Sequence, residues 1–108
     1  MIRYSKKLYL TNQTKKDIIE IKLKLYTGAG MLGVMVIELA KNPEDVLDIV
    51  PAAMFKQKRF RKQKHIVIGI AESPRASQKL VEEILADHVK ATGSYLDFRK
   101  DIEERVIR

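Results

Sequence analysis

Residues 42–54 read N-P-E-D-V-L-D-I-V-P-A-A-M, and how they fold decides the architecture. They lie between two apolar runs, 33–39 (GVMVIEL) and 65–71 (HIVIGIA). Both runs are rich in β-branched residues, the pattern of strands covered on both faces. Asn42 is a good N-cap, Pro43 suits a first helical position, and Glu44 and Asp45 suit the positive end of a helix dipole. Val46, Ile49, Val50, Ala53 and Met54 then recur at helical spacing. Pro51 lacks an N–H and should kink this helix or divide it. Strand, helix and strand make a right-handed crossover. The expected fold is therefore α/β: a small sheet of two to four strands with a central parallel βαβ unit (strands near 33–39 and 65–71), packed by three or four helices. Glu38, the one charge in the first run, is expected near the strand's exposed end.

The flanks extend this picture. Ser73-Pro74 caps a helix over 74–92, with an apolar stripe that includes Leu80, Ile84, Leu85 and His88. Glu82, Glu83, Asp87 and Lys90 face water, and Gly93 is placed to end the helix. Residues 95–107, with Phe98, Ile102 and Val106 at helical spacing, read as a further helix. Residues 7–11 read as a short edge strand. The segment 14–27 has two readings. Ile19, Ile21, Leu23 and Leu25 alternate like a strand, while Ile18, Ile21 and Leu25 line one helical face behind a Thr14–Asp17 capping pair. The helix is preferred.

At 108 residues the chain suits a single domain, 1–108, with one core. The absence of Cys excludes a disulfide framework, a thiolate nucleophile and a Cys-based zinc site. No apolar leader and no membrane-length run is present, so a soluble cytoplasmic protein is expected. The net charge of +7 is uneven. Residues 1–64 hold 14 Lys/Arg against 6 Asp/Glu, and no acidic residue occurs between Asp48 and Glu72. A positive half favours polyanionic partners.

Three motifs bear on function. Gly28-Ala29-Gly30-Met31-Leu32-Gly33 fits G-x-G-x-x-G, which can hold a dinucleotide pyrophosphate when a strand precedes it and a helix follows. Here a helix precedes and a strand follows, so Gly28 reads as a helix C-cap and Gly30 and Gly33 as turn residues; no cofactor is expected. Residues 56–64, KQKRFRKQK, carry Lys56, Lys58, Arg59, Arg61, Lys62 and Lys64 around Phe60. The cations suit phosphates and the ring could stack on a base. Lastly, parallel strands would bring two helix-opening loops together at their carboxyl ends, with Lys41, Asn42, Ser73 and Arg75 as candidate anion ligands. His65 and His88 have no metal spacing, and no metal site or catalytic set is recognised.

These readings favour a small non-enzymatic intracellular module acting through protein–protein binding, with another protein or a second copy as partner and no membrane. The alternative is a nucleic-acid-binding domain using 56–64. A weaker one is an anion- or nucleotide-binding enzyme at the strand ends.

Overall fold

The structure, a computed structural model, describes residues 2–42, 45–92 and 106–107. Strand β1 is Ile2–Leu10, followed by α1 (Asn12–Lys16) and α2 (Ile18–Thr27). Strands β2 (Met35–Leu39) and β3 (Leu47–Pro51) precede a 3-10 helix (Ala52–Lys56) and a single helical turn, α3 (Lys58–Arg61). Strand β4 (His65–Ala71) leads into α4 (Pro74–Thr92), and β5 is Val106–Ile107. The described residues form one mixed sheet in the order β3-β2-β4-β1-β5.

The parallel βαβ unit is not present. Strand β2 runs antiparallel to β4, and the parallel neighbour of β4 is β1. The cause lies in Leu47–Pro51, which pair back on β2 as β3 instead of forming part of a crossover helix. Leu47 and Ile49 stand opposite Leu39 and Ile37 on one face, and Val50 stands opposite Val36 on the other. The helical stripe read from sequence would have buried Val46, Ile49 and Met54, all of which remain exposed. Pro51 fits because of its phase. Ala52 N–H donates to Val34 O and Ala40 N–H to Val46 O, so even-numbered residues of β3 bond to β2. Odd-numbered residues point to the open edge, where a missing N–H leaves no ladder bond unmade.

Among the described residues a four-strand sheet, within the expected two to four, is bordered by the two-residue β5. Two further expectations change. The edge strand read at 7–11 is the end of a longer β1, paired on both sides. Its register jumps from Tyr4↔Val67 to Tyr9↔Gly69. The exposed Lys6 and Lys7 fall in this irregularity and mask the alternation in sequence. The helix read at 95–107 falls mostly on residues outside those described, while Val106 and Ile107 pair with β1 as a strand.

Two cores flank the sheet. Ile66 and Ile68 pack with Ile37, Leu80 and Ile84 on the α4 side. Val67 and Ile70 pack with Val36, Ile21, Leu25 and Phe55 on the side of α2 and the 3-10 helix. Register slips between Ile37↔Gly69 and Glu38↔Val67, so β4 carries one extra residue there. This bulge turns both Ile68 and Gly69 toward α4. A side chain at Gly69 would press on Leu80 and the Tyr9 carbonyl, so the bare residue lets α4 approach closely. On α4, Leu80 and Ile84 are buried, while Leu85 is only half-buried.

Candidate interaction surfaces

Helix α2 is apolar on two faces. Ile21 and Leu25 point into the core, with Ile18 partly buried beside them. Ile19, Leu23 and Tyr26, at i, i+4 and i+7, form a second stripe and are 84%, 61% and 77% exposed. At 100° per residue this stripe lies more than a quarter-turn from the core-facing one. On its flank Lys22 places its ammonium 4.5 Å from the centre of the Tyr4 ring, and exposed Lys15 and Lys16 lie at its N-terminal end. Burial pushes the Tyr4 hydroxyl up to about 12. Gly28 ends the helix in the left-handed region (φ 75°), its N–H bonded to Lys24 O, as the sequence indicates. A Cβ there would fall on the Arg61 guanidinium. Gly30 and Gly33 also have positive φ, and the loop they shape runs from a helix end to a strand. It therefore offers no helix N-terminus to a pyrophosphate.

The basic segment is ordered by what lies beneath it. His65 and Glu38 are both buried, the His65 Nδ1 2.8 Å from Glu38 Oε2. Glu38 is thus not at an exposed end, as its position in the strand had suggested. His65 Nε2 lies 2.6 Å from the Phe60 carbonyl, which can only accept, so Nε2 carries a proton and donates it. One further proton is shared between Nδ1 and the carboxyl oxygen. This satisfies two buried groups that would otherwise be costly. Phe60 packs edge-on against Phe55 at 5.1 Å and tilts over His65 at 4.7 Å. Its ring is half-buried and packs against the core, with Phe55, His65 and the Lys41 ammonium around it. Arg61 also turns inward, donating to the Phe55 carbonyl at 2.8 Å, where it caps the 3-10 helix. Lys56, Lys58, Arg59, Lys62 and Lys64 remain exposed, and none forms an ion pair with a described residue.

The strand-end site divides. Because β2 and β4 are antiparallel, Lys41 and Asn42 lie at the opposite end of the sheet from Ser73 and Arg75. Lys41 joins the basic segment instead. Its ammonium is 2.8 Å from Gln63 Oε1, 3.6 Å from Glu38 Oε1 and 4.6 Å from the centre of the Phe60 ring. Ser73 and Arg75 border a cleft of about 780 Å³ between the ends of β1 and β4, with Thr11, Gln13 and Lys79 on its walls. The chain leaves β1 toward α2 on one face and β4 toward α4 on the other, the geometry of a topological switch point. Yet its hydroxyls are already engaged. Ser73 Oγ accepts from Ala76 N–H, and Thr11 Oγ1 is 3.0 Å from Thr14 Oγ1. Its charges are mixed, Arg75 and Lys79 with Glu72 and Glu83.

Among the described residues no cluster of His, Asp and Glu could hold a metal ion, and no helix is long and apolar enough to cross a membrane. Sequence reasoning missed the outer stripe of α2. Its signal was present in the alternation itself: if 18–27 is a helix, Ile19 and Leu23 cannot share the face of Ile21 and Leu25. No protein-family model, curated protein or solved structure matches the chain.

Proposed function

We propose that the protein is a non-enzymatic binding module that docks another protein on the outer face of α2. The observation that carries this reading is the exposed stripe of Ile19, Leu23 and Tyr26 on a helix whose other face is fully engaged in the core. Three large apolar side chains aligned on one helical face are the anchor pattern of helix–helix recognition. Burying them contributes about 5–9 kcal/mol gross, at about 1.5–3 kcal/mol per side chain. Association itself costs about 4–15 kcal/mol, so the stripe alone supports a weak complex and flanking charge must add to it. That charge is net positive, Lys15, Lys16, Lys22 and Lys24 outnumbering Asp17 and Glu20, on a chain of net charge +7. A second copy would set like charges against each other. The partner that fits is an amphipathic helical segment with acidic flanks.

The test is a photo-crosslinking amino acid at position 23 or 26. The expected result is a crosslink to an acid-flanked helical segment of one defined protein. It should be lost when Lys15, Lys16 and Lys22 are changed together to Glu, and be absent when the probe sits at position 82 on α4. Crosslinks confined to a second copy of this chain, or to its own residues 93–105, would overturn the reading.

A further inference from the structure

We propose that the turn 56–64 is a second, independent surface that docks the phosphate backbone of a nucleic-acid duplex without reading its bases. Lys56, Lys58, Arg59, Lys62 and Lys64 are exposed and have no ion-pair partner among the described residues. No acidic residue lies between Asp48 and Glu72 to neutralise them along the chain. A run of cations on a flexible loop would lose much of its binding energy in being ordered. This run is already held. His65 grips the Phe60 carbonyl, Arg61 grips the Phe55 carbonyl, and Lys41 grips Gln63. The two side chains that reach inward, Phe60 and Arg61, are the ones best suited to reading or stacking on bases. Their withdrawal leaves point charges facing outward. Splayed single strands gain from stacking platforms, which the turn does not offer, whereas a duplex presents one charge per about 1.7 Å of axis and needs only cations. Large exposed apolar side chains, which an interfacial membrane anchor requires, are absent from 56–64.

Fluorescence anisotropy with two 20-base-pair duplexes of unrelated sequence tests this at several salt concentrations. If about four phosphates are neutralised, affinity should fall about 100-fold between roughly 50 and 200 mM salt, equally for both duplexes. The variant with Lys58, Arg59, Lys62 and Lys64 all changed to Gln should bind far more weakly and lose most of the slope, about 0.9 per cation removed. The Lys→Arg variant at positions 58, 62 and 64 keeps the charge and should bind like the wild type. Lys15→Gln with Lys16→Gln, on the α2 surface, should leave the slope unchanged, which separates this site from the protein-docking one. Unchanged duplex binding by the Gln variant, with its circular dichroism intact, would overturn the proposal. So would a marked preference for one duplex, or binding to phosphatidylserine vesicles with none to either duplex.

Discussion

Helices α2 and α4 use their apolar residues differently. Helix α4 has one line of buried positions, Ser77, Leu80, Ile84 and His88, and presents Glu82, Glu83 and Lys90 to water. Its Leu80, Val81, Ile84 and Leu85 all pack in the core beneath it. Helix α2 is half as long, yet carries Ile18, Ile21 and Leu25 inward and Ile19, Leu23 and Tyr26 outward. The sheet accounts for only the first set. Among the described residues nothing covers the second set, which is the surface assigned to the proposed partner.

The comparison can be broken first at its strongest point, the two buried faces. Ile84→Ala on α4 and Leu25→Ala on α2 should each cost about 2–5 kcal/mol of stability, from lost burial and the cavity left behind. Urea unfolding measures both, and a loss below about 1 kcal/mol at either would show that face not to be core. Next is the end of α2. Gly28→Ala places a side chain at positive φ and against Arg61, and should cost about 1–2 kcal/mol. Leu23→Gln, two residues from Leu25 and on the outward face, should change stability by no more than about 0.5 kcal/mol, since its side chain is mostly exposed.

The smallest effect is the link from β1 to α4. Tyr9 donates to Asp87 at 2.8 Å, with Lys7 3.6 Å away. That hydrogen bond, aided by Lys7, holds the Asp87 carboxyl below its ordinary value. Its contribution to stability is therefore present above the usual aspartate range and is lost as pH falls through the lowered value. In an NMR titration the Asp87 midpoint should lie below that of an ordinary aspartate, and Tyr9→Phe should raise it.

Legibility in sequence followed the same division. Helix α4, the Gly28 cap and strands β2 and β4 were readable because each has one environment that its pattern matches. Residues 42–54 were not, because Val46, Ile49 and Val50 satisfy a helical stripe while Leu47, Ile49 and Pro51 satisfy a strand. A fully buried run such as 65–71 reads the same in a parallel or an antiparallel pair, so strand direction could not be recovered either. The basic segment was visible as charge. The buried Glu38–His65 pair that orders it joins residues far apart in sequence, and no local spacing announces it. The anion site failed with the strand direction on which it depended, sending Lys41 to one end of the sheet and Ser73 to the other.

The most direct test of the two-faced helix is the unfolding free energy of a variant in which Ile19, Leu23 and Tyr26 are all changed to Gln. Gln has a higher helix propensity than Ile or Tyr, and all three side chains are mostly exposed. The expected stability lies within about 1 kcal/mol of the wild type. A loss of about 3 kcal/mol or more would mean that the folded chain itself covers the stripe, and that α2, like α4, serves the fold alone.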